Sequence, residues 1–254
     1  MKVTILGSGT SQGVPVIGCT CEVCQSLDYR DKRLRTSAYI EFEGQFFIID
    51  TGPDFRQQML RENVGRVDAV IFTHAHRDHT AGLDDVRAFN FLQEMDMPVY
   101  GSSAVLSQLR LEYAYAFAKD RYPGIPRLTL NQIDDQPFDI NGLQILPLPV
   151  LHLKMPVHGF RFGKFSYITD ANFIPEPTYE RLVGTEVLVL NALQLEPHVS
   201  HFNLDGALKV VSRLKPQKTY FTHISHKLGL HSEIEKNLPA NVYLAFDGLE
   251  ISLP

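Results

Sequence analysis

Several features that place a chain in a special class are missing from this sequence. Its longest apolar runs, such as 46–49 and 187–190, are the length of a strand, far short of the roughly 18 residues that a membrane helix needs. The N-terminus breaks into a Gly/Ser loop straight after Leu6, so it does not have the pattern of a signal peptide. Repeats of solenoid period and low-complexity linkers are also absent. We therefore expect a cytoplasmic protein that makes no membrane contact.

The chain has neither a basic excess nor a spread of cysteines. Its formal net charge of −5 argues against a general nucleic-acid surface, which carries a basic excess. One local exception is the basic run of Arg30, Lys32, Arg33 and Arg35, for which we favour a solvated face or a dimer contact over capture of a phosphate. The 3 cysteines all lie within 19–24, so they cannot form the disulfide framework of a secreted protein.

The composition that remains is that of a globular α/β protein. At 254 residues, with 44% hydrophobic and 21% charged residues, the chain is long enough for one large domain, which we place at 1–254. The predicted strands are 3–6, 38–42, 46–50, 68–72, 99–100, 143–150, 159–162, 165–169, 187–190, 219–221 and 242–246, and the predicted helices are 53–62, 83–94, 103–118, 177–183, 204–214 and 232–237. Because so many strands need burial, we expect a mixed α/β domain with two sheets.

The segment 72–79 is the most informative part of the chain. It places four metal-competent side chains within six residues: His74, His76, Asp78 and His79. Imidazole and carboxylate ligands suit zinc, manganese or iron better than calcium or magnesium. On one tight loop these side chains can converge on two metal ions, which favours a two-metal hydrolytic site.

Other predicted strands also end in ligand-type residues. His152, Asp170 and His223 each follow directly on an apolar strand, just as His74 does. In α/β folds such positions are where loops gather and sites form. We therefore expect these residues to converge in one cluster with the segment 72–79.

The ligand-type residues occur in an order and spacing that resemble the metallo-β-lactamase superfamily: His74, His76, Asp78, His79, His152, Asp170 and His223. The resemblance covers nearly the whole chain. It implies an αβ/βα four-layer sandwich, in which two mixed β-sheets are flanked by helices and the metals lie at one edge.

The same resemblance implies how two divalent transition metals, zinc or manganese, are held. One metal would take His74, His76 and His152, the other would take Asp78, His79 and His223, and Asp170 would bridge both. Asp50 matches an aspartate that the family uses to orient the ligand loop. Carboxylates in such positions fix the tautomer of a ligand imidazole. The alternative is that Asp50 simply forms a turn at a strand end. Because the lactamases usually lack the bridge and often place a cysteine at the second metal, antibiotic hydrolysis is not expected.

The cysteines form a second metal signature, Cys-x-Cys-x-x-Cys, at Cys19, Cys21 and Cys24. Three thiolates this close can wrap a tetrahedral zinc but need a fourth ligand, which must be histidine, aspartate or water. His226, three residues after one of the cluster ligands, is the natural candidate. We predict a structural zinc loop at about 18–27, with a redox role for the cysteines as the alternative.

Further segments resemble one branch of this superfamily in particular. The segment 7–15 leads into the cysteines and, together with 222–226 and 246–250, looks like the phosphodiesterases associated with carbon–phosphorus lyase, the PhnP type. Those enzymes hydrolyse cyclic ribose phosphates and carry a structural zinc held by three cysteines and a histidine. The segment 200–204 fits the same group, which implies that His201 lies near the leaving group as a general acid or electrostatic donor.

The resemblance implies a metal-dependent phosphoric diester hydrolase with a place in phosphonate metabolism. Its substrate would be a small cyclic or linear phosphodiester, such as a ribosyl cyclic phosphate, attacked at phosphorus by a metal-bound hydroxide. Asp78, Asp170 and His201 would be the catalytic residues. The stretch 84–118 could supply an apolar face for a homodimer.

Two alternatives stay open. A nuclease that matures transfer-RNA 3′ ends would share much of this metal set, but the acidic net charge and the lack of an inserted basic arm argue against it. A PqqB-like protein of quinone cofactor biosynthesis, which need not be a hydrolase, would share the cysteine and loop motifs. Such proteins tend to depart from the full ligand set, whereas all seven ligand positions are filled here, and this favours hydrolysis.

Overall fold

Strands form the framework of the structure, a computed structural model that describes residues 1–119 and 122–253. The strands are β1 (Lys2–Gly7), β2 (Ser37–Phe42), β3 (Gln45–Ile49), β4 (Ala69–Ile71), β5 (Met97–Gly101), β6 (Leu128–Gln132), β7 (Phe138–Ile140), β8 (Leu143–His152), β9 (Met155–Phe162), β10 (Phe165–Ile168), β11 (Val187–Asn191), β12 (Lys218–Thr222), β13 (Val242–Leu244) and β14 (Glu250–Ser252). The helices are α1 (Glu22–Gln25), α2 (Phe55–Arg61), α3 (Arg77–Thr80), α4 (Arg87–Gln93), α5 (Ser103–Glu112), α6 (Glu176–Leu182), α7 (Leu204–Leu214) and α8 (His231–Lys236), and 3₁₀ turns lie at Tyr29–Asp31, Leu83–Val86 and Ala114–Phe117.

Within the described residues the strands build two sheets of seven strands each. The first has the order β14-β1-β2-β3-β4-β5-β6, and the second has the order β13-β12-β11-β10-β9-β8-β7. The pairs from β3 to β6 and from β10 to β13 are parallel, and the remaining pairs are antiparallel. Both sheets are therefore mixed, and in each the parallel strands end at a common edge.

Alternate side chains of the central strands enter different cores. Along β3, Phe47 and Ile49 lie in the core between the two sheets, whereas Ile48 lies in the core beneath α2, α4 and α5. Along β11, Val189 enters the shared core and Leu190 packs on the side of α6 and α7. Because both faces of these strands are buried, they are apolar throughout rather than alternating. The layers run helix, sheet, sheet, helix, and the predicted four-layer fold is confirmed.

The differences from the predicted elements lie at the margins of the fold. The prediction missed β6, β7 and β14, which are sheet-edge strands with one buried residue each. Such strands lack the apolar run on which the prediction depended. The helix predicted at 103–118 ends at Glu112, and the one predicted at 83–94 begins as a 3₁₀ turn. No helix in the described part of the chain is long and apolar enough to cross a membrane.

The basic run does not form a solvated face. Arg33 is only 3% exposed, and its guanidinium donates to Ser8 Oγ at 2.9 Å and to the carbonyl oxygen of Ala245 at 2.5 Å. Arg35 is paired with Asp54 at 3.0 Å. The predicted solvated face or dimer contact is therefore wrong for Arg33, which instead ties the loop after β1 to the end of β13.

Candidate metal centres

The carboxyl ends of the central parallel strands meet at one edge of the sandwich. Asp50 and His74 follow β3 and β4 of the first sheet, and Asp170 and His223 follow β10 and β12 of the second. Asp50, Asp170 and His223 have φ angles of 62°, 55° and 55°, in the left-handed region that costs a residue other than glycine on the order of 1–3 kcal/mol. Strain of this kind clusters at functional sites, where the surrounding structure holds it in place.

One group of ligand atoms surrounds His74. Its Nε2 lies 3.0 Å from Nδ1 of His76 and 3.7 Å from Oδ2 of Asp170. The ring of His152 lies beside them, with its centre 5.1 Å from that of His76. Because Nδ1 of His152 donates to the carbonyl oxygen of Ser200 at 2.8 Å, its Nε2 is the atom available to bind an ion. The ligand atoms of His74 and His76 thus form one group with Asp170, whereas that of His152 lies within 4.8 Å of those of Asp170 and His201. Asp170 is therefore the neighbour common to the three histidines that the resemblance assigns to one metal.

A second group surrounds His79. Its Nε2 lies 3.2 Å from Oδ2 of Asp78 and 3.4 Å from Oδ1 of Asp170. Nε2 of His223 lies 3.2 Å from the same Asp170 oxygen and 3.8 Å from Oδ2 of Asp78. Each of the four residues offers one ligand atom, and these atoms lie within 4.8 Å of one another.

Asp170 belongs to both groups through different oxygens. Oδ1 faces His79 and His223, and Oδ2 faces His74 as well as His201, whose Nε2 is 3.2 Å away. The carboxylate is 2% exposed, so water does not compete for these directions. This is the arrangement that a bridging carboxylate requires.

A hydrogen-bonded chain behind the ligands sets their ring orientation. Oδ2 of Asp50 accepts from Nδ1 of His79 at 2.7 Å and from the Thr73 hydroxyl at 2.8 Å. The same hydroxyl lies 2.9 Å from Nδ1 of His74, from which it accepts. Both histidines are therefore held with Nε2 toward the site. Carboxylates and hydroxyls behind metal ligands commonly orient the rings in this way.

Burial and charge act in opposite directions on the ionisable groups. Burial by itself raises the pKa of Asp170, but His223 and His79 outweigh it and hold that pKa well below its usual range. Burial lowers the pKa of the His79 ring, and the surrounding carboxylates, Asp170 foremost, raise it well above its usual value. Asp170 therefore stays ionised, which is the state in which a carboxylate binds a metal.

The residues fit a metal centre because several buried nitrogens are otherwise unpaired. Among the described residues, Nε2 of His79 and both ring nitrogens of His223 make no hydrogen bond, although carboxylate oxygens lie 3.2 Å from each Nε2. An unpaired buried polar group costs about 1–3 kcal/mol, and an ion between these atoms would remove that cost. Imidazole nitrogen with carboxylate oxygen is a donor set suited to zinc or manganese.

The cysteines converge on His226. Its Nδ1 lies 3.3 Å from Sγ of Cys19, 3.3 Å from Sγ of Cys21 and 3.5 Å from Sγ of Cys24. Zinc bonds of about 2.3 Å to sulfur and 2.1 Å to nitrogen give a tetrahedral edge of about 3.6 Å, so these separations fit one zinc ion. The backbone N–H of Cys24 and the His226 ring lower the pKa of Cys21 to about 6, which favours the thiolate form that a metal binds.

One short segment joins the two centres. The chain from His223 to His226 supplies a candidate ligand to each, and its middle is fixed by backbone hydrogen bonds. The N–H of Ile224 donates to Ser8 O at 2.8 Å, and the N–H of Thr10 donates to Ile224 O at 3.1 Å. The two sets of ligands are therefore held on a common piece of backbone.

His201 lies beside the cluster rather than apart from it. Besides its contact with Asp170, its Nδ1 lies 3.1 Å from the Ser200 hydroxyl, and its ring centre lies 4.5 Å from that of His152. Burial, and then the nearby His223, lower the pKa of His201 to about 3. Its ring is therefore neutral near pH 7, with Nε2–H donating and Nδ1 accepting.

Two residues that contribute to this site, Thr73 and Ser200, were not predicted from the sequence. Their roles are inferred from where they lie, as are those of the predicted ligands. Thr73 links Asp50 to His74 through its hydroxyl. The only sequence signal for it is the Thr-His pair that recurs at 222–223. Ser200 holds His152 through its backbone carbonyl, a group that every residue carries, so no sequence pattern could have identified it.

The chain is similar to proteins of one superfamily. A model of the beta-lactamase superfamily domain matches residues 46–224. The octanoyltransferase of Porphyromonas gingivalis strain W83 is 38% identical over 253 residues, which cover 98% of this chain and 51% of that protein. The chain therefore spans about half the length of that curated relative.

Two solved structures extend the comparison. A diphosphatase from the PhnP family has 40% sequence identity and a TM-score of 0.92, over 98% of this chain and 96% of that one. The zinc-bound PqqB from Methylobacterium extorquens has 19% identity and a TM-score of 0.78 over 100% of both chains. At that identity PqqB shares the fold, whereas the diphosphatase is similar in sequence as well.

Proposed function

The chain belongs to the metallo-β-lactamase superfamily, and we propose that it is a dinuclear-metal phosphodiesterase for a small cyclic or linear phosphodiester. The observation that carries this proposal is the double role of Asp170, whose two oxygens face two separate groups of imidazoles. A shared carboxylate between two ions is suited to displacement at phosphorus, because charge builds on both the attacking and the leaving oxygen.

Divalent ions held by these residues would generate a nucleophile from water at neutral pH and would stabilise the charge that develops on the phosphoryl oxygens. His74, His76 and His152 would hold one ion, Asp78, His79 and His223 would hold the other, and Asp170 would bind both. Asp50 and Thr73 keep the rings in the tautomer that such binding needs. Cys19, Cys21, Cys24 and His226 would hold a structural zinc.

His201 is the residue that we assign to the leaving group. Its neutral ring can donate a hydrogen bond from Nε2 to the departing oxygen, as that atom is already directed at the bridging carboxylate. Because the ionised Asp170 carboxylate can only accept, it keeps the proton on Nε2, and the Ser200 hydroxyl can then donate to Nδ1. A hydrogen bond to an oxygen on which charge develops is worth typically about 10²–10³-fold in rate.

A second candidate is hydrolysis of a diphosphate. The neighbour from the PhnP family that is 40% identical to this chain is a diphosphatase, and a phosphoanhydride makes the same demands on a two-metal site as a phosphodiester does. Both bonds join phosphorus to a bridging oxygen. The proposed place in phosphonate metabolism rests on the resemblance to the PhnP type alone.

A substrate panel tests the proposal. We would assay the zinc- and manganese-loaded protein on ribosyl cyclic phosphates, 2′,3′-cyclic nucleotides, ADP-ribose as a diphosphate, and precursor transfer RNA. We expect hydrolysis of at least one small phosphodiester, with loss of turnover in the same protein after chelation. Cleavage of ADP-ribose alone would favour the second candidate, and turnover of none of these compounds with either metal would refute both.

A further inference from the structure

A cavity of about 370 Å³ lies beside the dinuclear site. It is lined by the loop after β4, the start of α5, the chain after β6 and the start of β9. This volume falls in the range of about 300–1,000 Å³ that is usual for small-molecule sites. None of the ligand residues other than His74 lines it, so the cavity is additional space next to the metals and not the metal site itself.

The cavity is connected to the metal site through its walls. Thr73, His74 and Ala75 form one side, and they belong to the ligand loop. On another side lies Met155, which is paired with the ligand His152 across the turn between β8 and β9. A molecule whose phosphoryl group is held at the metals would therefore extend its remaining part into this cavity.

The charges of the cavity exclude a second phosphate. No lysine or arginine is among the described residues that line it, whereas two carboxylates, Asp134 and Asp135, are. Asp135 accepts a hydrogen bond from Nε2 of His158 at 2.8 Å, which fixes this pair at the wall. An anionic group would meet like charge without a cation to offset it, so the part of the substrate that enters is uncharged.

The remaining walls suit a ring that carries a few polar atoms. Val105, Ile133 and Pro156 give apolar surface, against which a flat ring gains from burial. The Ser102 hydroxyl accepts from the N–H of Val105 at 3.3 Å and keeps its own proton to donate. Gln132 adds an amide at the same cavity. A small number of polar groups on an apolar surface is the usual composition of such sites.

We propose that this cavity binds the nucleoside part of a nucleoside phosphodiester and sets the specificity of the enzyme. The inference rests on the proposed phosphodiesterase activity and adds the class of its substrate. A phosphorylated ribose is disfavoured because the described lining of the cavity has no cation for its second phosphate. A nucleoside offers both the planar ring for the apolar walls and the hydroxyls for Ser102 and Gln132.

The test fills the cavity and compares two substrates with the same leaving group. Ala104 is exposed at the start of α5 and lines the cavity, so Ala104→Trp would occupy it without disturbing the core. Ala88→Trp is the matched control, since Ala88 is an exposed alanine on α4 that does not line the cavity. The chain contains no other tryptophan, so the emission of the new residue monitors folding in both variants.

The two substrates are the p-nitrophenyl ester of thymidine 5′-monophosphate and methyl p-nitrophenyl phosphate. We expect the metal-loaded wild type to have a higher kcat/KM for the thymidine ester. Ala104→Trp should lower that value by about 10- to 200-fold, the range over which an apolar pocket discriminates between substrates, and leave the methyl ester nearly unchanged. Ala88→Trp should resemble the wild type on both substrates.

Equal kcat/KM for the two esters in the wild type, or an equal loss on both in Ala104→Trp, would overturn the inference and leave the proposed function intact. If neither ester is hydrolysed, the proposed function fails for these substrates. In that case, the affinity of the thymidine ester measured by calorimetry tests nucleoside binding in the cavity independently of hydrolysis. Weaker binding to Ala104→Trp than to Ala88→Trp would support it, and equal binding to both variants would refute it.

Discussion

The two candidate metal centres of this protein differ in where their side chains come from and in how much of each site stays accessible. The cysteine centre brings three thiols from one turn of chain together with His226. Such closed sets are typical of structural zinc. The other centre draws its ligands from the ends of strands in both sheets, and His76 remains exposed at its rim. The cysteine centre, with three of its four side chains from one turn, therefore has no position left for a substrate. The centre whose side chains come from distant strands leaves room for one.

The segment from His223 to His226 makes the comparison testable because it supplies both centres. If the cysteine centre is structural, removing it should loosen this segment without removing a catalytic group. If the dinuclear centre is catalytic, removing its shared ligand should stop turnover without unfolding the protein. Four substitutions distinguish these outcomes. They are described from the largest expected effect on turnover to the smallest.

Asp170→Ala should have the largest effect. It removes the carboxylate that faces both groups of imidazoles, and each catalytic ion contributes several kcal/mol of charge stabilisation. We expect turnover of a chromogenic phosphodiester to fall by roughly 10³-fold or more, since each 1.36 kcal/mol is tenfold in rate. Asp205→Ala, at an exposed carboxylate on α7, is the control, and full activity in Asp170→Ala would refute the bridging role.

His201→Ala should lower kcat by roughly 10²-fold or more on a substrate with an alkoxide leaving group, because a donor to the departing oxygen is lost. The loss should be smaller for p-nitrophenolate, which needs little help to leave. Metal content should stay unchanged, since His201 is not assigned as a ligand.

The control for His201→Ala is His198→Ala, at an exposed neighbour whose ring centre lies 5.3 Å from that of His201. A loss of kcat that is the same for both leaving groups would argue against the donor role. A loss of metal would instead identify His201 as a ligand, as its ligand atom does lie within 4.8 Å of those of His152 and Asp170.

Asp50→Asn should weaken the centre without removing a ligand. The carboxylate is fully buried and accepts from Nδ1 of His79, and loss of such a partner typically costs about 10- to 100-fold in metal affinity or activity. Metal titration of the apo-protein measures the change. Asp68→Asn is the matched control, at a buried carboxylate that accepts from the N–H of Phe46. Equal metal affinity in Asp50→Asn and wild type would show that Asp50 only shapes the turn.

Cys21→Ser should have the smallest effect on turnover and a clear effect on stability. Metal binding at a structural zinc is part of the folding free energy, and a loss of about 3 kcal/mol would lower Tm by about 6–12 °C. Thr20→Ser, at the exposed neighbouring residue, is the control. Loss of turnover at unchanged Tm and metal content would contradict a purely structural role.

The sequence indicated which side chains would lie close together at this site, and the reason is physical. Ions of this type need imidazole and carboxylate groups, which are unusually dense in segment 72–79. The ends of apolar strands in parallel sheets also converge. Asp170 and His223 could therefore be assigned although they lie far from segment 72–79. The strands β6, β7 and β14 could not, because each lies at a sheet edge and buries a single residue.

The sequence could not predict the features that depend on packing between distant segments. Arg33 occurs in a basic run, and only the fold reveals that its partners, Ser8 and Ala245, lie in a buried network. Four segments line the cavity, and three of them carry no motif: the start of α5, the chain after β6 and the start of β9. The residues that would set substrate specificity are therefore harder to predict from this sequence than the candidate metal ligands are.

We propose that one chain holds a carboxylate-bridged pair of ions and a separate thiolate-bound ion. Elemental analysis of the wild type and of two variants, after gel filtration in metal-free buffer, counts these ions. We predict more than two transition-metal ions per chain in the wild type, retention of the thiolate-bound ion alone in Asp170→Ala, and loss of only that ion in Cys21→Ser. A single metal ion per wild-type chain would contradict the dinuclear centre.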